Sequence, residues 1–453
     1  MKREGFSSRL GFILVSAGCA IGIGNVWKFP FLAGQNGGGL FVIIYLLFLL
    51  IIGVPILTME LAVGRASGKS IYQAYRKLEK PGTKWHLHGR IANIGCIVLM
   101  MYYTTVSGWM LDYAFKFASG QFRHITTQQV DTIFDKMLAS PLEMVLAMGI
   151  TIIAGFVICS FGLQNGVEKM TKVMMGLLLS IIIILALHSF ALKGGNAGFK
   201  FYLMPSLQNV KKAGGLGHVI MAAMSQAFFT LSVGMGSMEI FGSYMSKDQT
   251  LLSESVTIAS LDTFVAIMSG LIIFPACFAF GVAPNQGPSL IFVTLPRVFI
   301  NMAFGQIWGT LFFIFMTFAS FTTVMAVFEN IIASFMDNFN WTRKKATILS
   351  GIAIFVLSLP CVFGYNILSF LTVGSKNILD IEDFLVSNLI LPIGSVIFLL
   401  FCVSRYGWGQ ENYLKEVNTG KGMKLKRWMI PYFRYVLPVL IIIVFIQGLI
   451  GLN

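Results

Sequence analysis

Six side chains that carry oxygen atoms interrupt apolar stretches long enough to cross a membrane. They are one amide, four hydroxyls and one carboxylate: Asn25, Thr230, Ser232, Asp262, Thr322 and Thr323. Hard cations such as Na⁺ bind oxygen ligands of these types, and broken helices add free backbone carbonyls. Polar groups at membrane depth are rare and indicate a binding site or an ion pathway. Cation binding is therefore the chemistry that these residues suit.

The sequence offers no comparable set of residues for catalysis. It contains no GxSxG or HExxH motif, no phosphate-binding loop, and no Ser/His or His/Asp cluster at membrane depth. The five histidines are scattered, and the six cysteines lie in or beside apolar stretches without a CxxC pair. We therefore expect a protein that is not an enzyme, with buried free cysteines and no resident metal centre.

Two apolar stretches, centred about 210 residues apart, are interrupted in the same way. One reads AIGIGN at 20–25 and the other SVGMGS at 232–237. Paired glycines favour departure from helical geometry. Because unpaired backbone groups are costly in a bilayer, irregular backbone survives there only where it lines a cavity or binds a ligand. Corresponding breaks in two halves of a chain predict the site of a secondary transporter, although glycines also serve close packing between helices.

Composition places these motifs in a polytopic membrane protein. Of the 453 residues, 56% are hydrophobic and only 11% are charged, whereas soluble domains carry about 25% charged residues. The apolar runs predict one all-α domain at 1–453, and a shorter run at about 288–304 predicts a re-entrant or surface hairpin because Pro288 and Pro296 break it. The predicted spans are 11–34, 39–64, 91–118, 142–160, 166–192, 218–244, 256–282, 305–336, 345–363, 378–404 and 431–451.

The net charge of +14 would suit nucleic-acid binding, but the positions of the charges argue against it. Most Lys and Arg residues fall in loops on one side of the predicted bundle. This bias predicts a cytoplasmic N-terminus and, with eleven spans, an outside C-terminus in a multi-pass protein of the inner (plasma) membrane. The start of the chain resembles a lipoprotein signal, yet the sequence after Cys19 continues into the membrane, so we expect no cleavage.

Several motifs resemble those of the neurotransmitter:sodium symporter family. The first span contains RLG at 9–11 and GIGNVWKFP at 22–30, and NGGG follows at 36–39. The similarity continues through GVP at 53–55, Glu60, Tyr102 and Tyr103, FFTLSVG at 228–234, Asp262 and ASFTT at 319–323. It covers nearly the whole chain and is greatest to the bacterial eleven-span branch. It implies a LeuT-type fold, with five-plus-five inverted repeats at about 9–192 and 218–404, an additional helix at 431–451, and discontinuous helices 1 and 6.

The resemblance implies two sodium sites built from hard oxygen ligands. The first includes a carboxylate and would also use the carboxylate of the substrate; its protein ligands would be Ala20, Asn25, Thr230 and Asp262. The second contains carbonyls and hydroxyls only, from Gly18, Ile21, Ala319, Thr322 and Thr323. Spacing alone equally fits threonine hydroxyls that bond back to their own helix, which is common in membrane helices.

The same resemblance implies a substrate site between the two helix breaks. Amine transporters of the family carry an aspartate at the position of Gly22, where glycine leaves room for an amino acid's carboxylate beside the sodium and the positive helix ends. Met235 is flexible enough to repack around different apolar side chains, although it would also suit plain core filling. The implied substrate-binding residues are Ala20, Gly22, Gly24, Leu99, Tyr103, Phe229, Thr230, Ser232, Met235, Gly236, Thr323 and Val327.

Charged residues near the ends of the pathway resemble the family's gates. Lys28 and Asp383 correspond to the outer pair, and Arg3 and Asp337 correspond to the inner pair. Lys28 departs from the usual arginine. An ammonium group cannot form the planar bidentate hydrogen bonds that a guanidinium makes to a carboxylate. We therefore expect the outer ion pair to be weaker or mediated by water.

Three other features add to the family pattern or depart from it. Glu239, one turn past the second break, is an intramembrane carboxylate that could contact substrate, carry a proton or pair with another helix. Gly176 stands ten residues after Gly166, where some relatives have a proline that unwinds the helix, so unwinding is less compelled here. Asp380 and Glu382 are expected to be solvated in the outer vestibule.

Together these features predict a sodium-coupled symporter that imports a hydrophobic or aromatic L-amino acid (tryptophan-, tyrosine- or leucine-like) by alternating access. Chloride-dependent relatives place a serine at the position of Ala266, and Asp262 supplies a negative charge of its own, so we expect chloride independence. The alternatives are a sodium-coupled transporter of an aromatic amine or indole-like compound and a proton-coupled permease of the same fold. Expected partners are a small amino acid and the lipid bilayer, not nucleic acid.

Overall fold

The computed structural model describes residues 4–282, 290–374 and 376–450. Within these ranges the fold is all-α, with two isolated β-bridges and no β-strand. Nine of the helices described there are each long and apolar enough to cross a membrane, and a bent pair of helices forms the first span. Two short helices form a broken sixth span, so the structure is compatible with the eleven spans predicted. In chain order the spans are Arg9–Ala20 with Gly24–Gln35, Gly39–Ser67, His86–Ala118, Pro141–Ser160, Leu163–Phe190, Leu216–Thr230 with Ser237–Ser243, Leu251–Ala279, Gly305–Phe339, Arg343–Phe363, Ile378–Val403 and Arg427–Leu449.

The two glycine motifs coincide with the breaks in the first and sixth spans. The two halves of the first span meet at an angle of 55°. In the sixth span the break is longer, and Ser232, Gly234 and Gly236 have φ values of 51°, 108° and 76°. These values lie in the left-handed region, which glycine enters without steric cost and which other residues rarely adopt. The predicted discontinuous helices 1 and 6 are confirmed.

Widened π-helical turns occur at specific points in the spans, and prolines account for most of them. The turns Gly24–Lys28, Leu49–Gly53, Leu290–Thr294, Leu385–Ile390 and Tyr432–Val436 are each followed by an α-helix whose second residue is proline. Proline has no N–H, and its ring clashes with the carbonyl four residues earlier. The preceding turn therefore widens, and an N–H group bonds to the carbonyl five residues earlier instead of four. The N–H of Phe29, for example, bonds to the carbonyl of Gly24.

The third and eighth spans occupy the middle of the bundle. They are the longest helices in the described part of the chain, at 33 and 35 residues, and their apolar windows are each 72% buried. The hydroxyls of Ser107 and Ser320 lie 2.9 Å apart where these two helices pack. All six cysteines are buried and free, as the sequence predicts.

Two peripheral segments refine the sequence-based expectations. The predicted hairpin forms a short helix, Leu290–Ile300, whose Phe292 ring packs against Trp109 and Tyr113 at centroid distances of 5.8 and 5.1 Å; Pro288 lies outside the described residues. The fifth span continues as an α-helix through Gly176, so the unwinding considered there is not present in this conformation.

Candidate functional site

A buried oxygen cluster joins the first, sixth and seventh spans. The amide nitrogen of Asn25 donates to a carboxylate oxygen of Asp262 at 2.8 Å and lies 3.2 Å from the hydroxyl of Thr230. The Thr230 hydroxyl donates to the other carboxylate oxygen at 2.9 Å. The amide oxygen of Asn25 accepts from the backbone N–H of Gly22 at 3.2 Å, which ties this cluster to the first break. Three of the four residues predicted for the first sodium site are thus brought together, and Ala20 ends the adjoining helix.

A second oxygen cluster joins the first break to the eighth span. The Thr323 hydroxyl lies 3.2 Å from the carbonyl of Gly18 and 3.3 Å from that of Ile21, and 3.5 Å from the carbonyl of Ala319. The hydroxyl of Thr322 lies 3.0 Å from the same Ala319 carbonyl and also bonds back to its own helix. All five residues predicted for the second sodium site therefore meet. The two threonines differ, since only the Thr323 hydroxyl bonds to the first span.

Between the two clusters lies a narrow cavity with a volume of about 20 Å³. Ten of the twelve predicted substrate-binding residues line it. The lining is mostly apolar and carries no charged side chain. The residues that line it are Cys19, Ala20, Gly22, Gly24, Leu99, Tyr103, Phe229, Thr230, Ser232, Met235, Thr323, Val386 and Leu391.

Gly22 is placed where no side chain fits. The Tyr103 hydroxyl accepts a hydrogen bond from the backbone N–H of Ile23 at 3.0 Å. This brings the hydroxyl so close to Gly22 that a Cβ there would overlap it, and the same Cβ would lie 2.7 Å from the Thr323 hydroxyl. A glycine is needed at this position because of the close approach, which also keeps an aspartate out of the site.

The break in the sixth span is held by a buried carboxylate that the sequence analysis did not assign to the site. Glu60 accepts hydrogen bonds from the backbone N–H groups of Gly234 and Met238, the latter at 3.2 Å. These amides belong to the break and to the first turn of the following helix, where partners inside the helix are lacking. The available signal was the carboxylate itself, within an apolar span.

Two predicted lining residues lie elsewhere, and three lining residues were missed. Gly236 packs against Ile71 on the short helix Ile71–Leu78, and Val327 is buried away from the cavity. The missed residues are Cys19, Val386 and Leu391. Val386 and Leu391 belong to the tenth span, where the π-helical turn Leu385–Ile390 sets which side chains face the cavity.

The predicted outer ion pair is not formed in the described structure. The ammonium nitrogen of Lys28 lies 3.7 Å from the centre of the Phe229 ring, which lines the cavity. The carboxylate of Asp383 instead accepts from the hydroxyls of Tyr102 at 3.1 Å and Ser387 at 2.8 Å. The lysine reaches the ring face, which attracts a cation, instead of the more distant carboxylate.

The remaining charged candidates have different surroundings. Asp337 accepts from the backbone N–H of Ser70 at 2.7 Å, and its predicted partner Arg3 lies outside the described residues. Glu239 is buried in the first turn after the second break, with its carbonyl against Gly64. The expectation that Glu382 is solvated was wrong: only 5% of this residue is exposed, because it faces inward from its helix.

The N-terminal segment lies across the N-terminal end of the fifth span. The carboxylate of Glu168 accepts from the backbone N–H of Ser7 at 2.8 Å and also from its hydroxyl. The carboxylate of Glu4 accepts from the N–H of Leu163 at 2.6 Å, and Phe6 packs edge-on against Tyr244. These contacts hold the start of the chain over the N-terminal ends of the first and fifth spans.

Known proteins resemble this chain over nearly its whole length. Residues 3–129 and 120–453 match the profile of the Sodium:neurotransmitter symporter family. A sodium-dependent transporter of Bacillus subtilis, YhdH, is 34% identical over 450 residues, which cover 99% of this chain and 98% of YhdH. The sodium-dependent serotonin transporter of Drosophila melanogaster is 25% identical, with 99% of this chain and 77% of the relative covered.

A solved structure has the same fold. The crystal structure of MhsT in complex with L-phenylalanine has a TM-score of 0.88 and is 36% identical, covering 98% of this chain and 100% of MhsT. The discontinuous first and sixth spans thus belong to a LeuT-type fold, and the family consists of membrane transporters, not enzymes. The chain belongs to the sodium:neurotransmitter symporter family.

Proposed function

We propose that this protein imports a hydrophobic or aromatic L-amino acid together with two sodium ions. One observation carries the proposal: two separate clusters of hard oxygen atoms adjoin the same helix break, with an apolar cavity between them. Sodium 1 would be bound by Ala20, Asn25, Thr230 and Asp262, and sodium 2 by Gly18, Ile21, Ala319, Thr322 and Thr323. Every ligand in both sets is an oxygen.

The lining of the cavity supports the choice of substrate. The carboxylate of an amino acid would approach sodium 1 at the first break, where the backbone N–H groups of Gly22 and Ile23 bond to Asn25 and Tyr103 and the positive helix end favours an anion. The side chain of the substrate would contact Leu99, Phe229 and Met235. These three residues are apolar and could not pair with a charged substrate side chain. MhsT, a structural relative, was crystallised with L-phenylalanine, and this supports an apolar or aromatic substrate for the present chain.

The charged residues also favour one orientation of the chain in the membrane and transport without chloride. The excess of Lys and Arg in one set of loops favours a cytoplasmic N-terminus. Asp262 is buried beside the proposed sodium 1, and Ala266 offers no hydroxyl for an anion. We infer that the carboxylate fills the role of chloride, so that transport is chloride-independent.

Uptake of radiolabelled amino acids by proteoliposomes tests the proposal. Two sodium ions with a zwitterion move two positive charges inward, and a potential of 100 mV then supplies about 4.6 kcal/mol, or about a thousandfold accumulation. We expect uptake of phenylalanine, tryptophan or leucine to need sodium, to generate current, and to continue when gluconate replaces chloride.

The same assay separates the alternatives. Uptake that persists when choline replaces sodium would indicate a proton-coupled permease and contradict the proposal. Sodium-dependent uptake of tryptamine but not of tryptophan would indicate an amine transporter. Strong loss of uptake without chloride would contradict the role given to Asp262.

A further inference from the structure

A groove between the fourth and ninth spans lies outside the transport site. Its volume is about 580 Å³, and apolar side chains line most of it. Ile153, Val157 and Ile348 are each more than half exposed there. Because both helices cross the membrane, this opening faces the lipid.

The floor of the groove is open because of one glycine. Gly351 has only the Phe156 ring near the place of a Cβ, at 3.4 Å, so a larger side chain would extend into the groove. The Phe156 ring is itself stacked on Phe328 of the eighth span, with centroids 3.9 Å apart. The result is a flat, apolar floor of fixed position that suits an extended hydrocarbon chain.

Polar groups occur at the end of the groove that adjoins the loop before Arg343. The side chain of Lys344 lines this mouth and has no ion-pair partner in the part of the chain that the structure describes. Thr347 also lines it; this residue is 6% exposed, and its hydroxyl finds no hydrogen-bond partner among the described residues. A free cation and an unsatisfied buried hydroxyl at one end of an apolar groove are groups that an anionic headgroup would satisfy.

The neighbouring charges make the mouth selective for negative charge. Arg343 is fully engaged, since its guanidinium donates to both oxygens of Glu329 at 2.8 Å. Lys345 lies 4.8 Å from the centre of the Trp341 ring. Because the carboxylate of Glu329 is paired with Arg343, it would not attract a positively charged headgroup. The balance of charge at the mouth is positive.

We propose that this groove binds one anionic phospholipid, with an acyl chain along Phe156 and Gly351 and its phosphate at Lys344 and Thr347. With the proposed orientation, the lipid belongs to the cytoplasmic leaflet, where anionic headgroups meet basic pockets between helices. A second copy of this chain fits less well, because a symmetric contact through this face would oppose two concave grooves and two Lys344 side chains.

Lipid titration of the purified protein in detergent tests the proposal without any transport measurement, so its result is independent of the proposed function. Native mass spectrometry would count bound phosphatidylglycerol and phosphatidylcholine with identical acyl chains. We expect one phosphatidylglycerol to be retained, and Lys344→Gln to weaken its binding about fivefold, to the level of phosphatidylcholine. Lys84→Gln, which removes an exposed lysine elsewhere on the same side, should change nothing.

Gly351→Leu tests the groove separately from the charge. It should fill the floor and abolish retention of both lipids. Thr347→Val keeps the shape but removes a hydroxyl from the phosphate that both lipids carry, so it should weaken both and serves if the leucine variant does not fold. Equal retention of phosphatidylglycerol by the wild type, Lys344→Gln and Thr347→Val would overturn the proposal. So would a wild-type dimer that Gly351→Leu converts to a monomer.

Discussion

The oxygen cluster around Asp262 and the cluster around Thr323 share the first helix break but differ in charge and in the helices that they join. The first connects the first, sixth and seventh spans and contains a carboxylate. The second connects the first and eighth spans through hydroxyls and carbonyls alone. An ion at the first site would be held mainly by charge, whereas an ion at the second would be held by the geometry of two packed helices.

This difference assigns distinct tasks to the two proposed sodium ions. Charge at the first site can couple the ion to a negatively charged carboxylate of the substrate. Neutral oxygens at the second site bind only while the first and eighth spans stay in contact, so that ion would report on the conformation of the bundle.

Asp262→Asn should have the largest effect. Removing the carboxylate charge from a buried cation site should raise the sodium concentration for half-maximal uptake about a hundredfold, consistent with about 3 kcal/mol for breaking a buried pair. Part of the rate should return with added chloride. Sodium-dependent uptake by the variant in chloride and in gluconate measures both effects. Asp135→Asn, at an exposed aspartate, is the control. Normal sodium dependence of Asp262→Asn would contradict the view that charge holds the ion at the first site.

Gly22→Ala should weaken substrate binding about thirtyfold, since a methyl group forced against the Tyr103 hydroxyl costs about 2 kcal/mol. Scintillation proximity binding at saturating sodium measures the loss. Tyr103→Phe in the same chain should restore part of the affinity, because it removes the overlapping oxygen. The matched control is Gly217→Ala, where a Cβ meets no atom within 4 Å. Unchanged binding by Gly22→Ala would show that the hydroxyl does not define the site.

Thr323→Val and Thr322→Val compare neighbouring hydroxyls within the neutral cluster. Thr323 bonds across to Gly18 and Ile21, while Thr322 bonds only within its own helix. We expect the sodium requirement to rise about tenfold for Thr323→Val and about threefold for Thr322→Val, in line with about 1.5 kcal/mol for a hydrogen bond that involves a charge. Sodium titrations of substrate binding provide the values. The reverse order would mean that bonding between the helices is not what holds this ion.

Lys28→Gln should have the smallest effect, because the lysine lies outside both clusters. Loss of a cation over the Phe229 ring is worth about 0.7 kcal/mol, so the substrate dissociation rate should rise about threefold. Sodium affinity should not change. Dissociation of labelled substrate after dilution measures the rate. A tenfold or larger effect would instead support a direct ion pair with Asp383 during the transport cycle.

Much of the site could be predicted because its chemistry is unusual for a membrane. The paired glycine motifs lie at the two breaks, and the polar residues Asn25, Thr230 and Asp262 meet in one cluster. Such residues stand out against an apolar background. The predictions were least accurate where a residue resembles its neighbours: Val386 and Leu391 are two of many apolar side chains in the tenth span, and nothing in their type marks them as lining residues.

Other errors arose because a side chain can satisfy its charge in several ways. Glu382 was expected in solvent but is buried, since three successive residues of a helix face different directions. Lys28 lies against an aromatic ring instead of a carboxylate. Sequence spacing fixes which groups are near the pathway but not which partner each one contacts.

The proline-linked π-helical turns have a consequence for helical phase. Each such turn contains one residue more than α-helical bonding would use, so everything beyond it is rotated by about 100° and shifted by about 1.5 Å relative to an uninterrupted helix. In the tenth span, Val386 lies in the turn Leu385–Ile390 and Leu391 directly follows it, and both line the cavity. Removing one residue from that turn would restore a continuous helix and rotate one of these side chains out of the cavity. The phase of this helix, set by Pro392, is therefore part of what defines the shape of the substrate site.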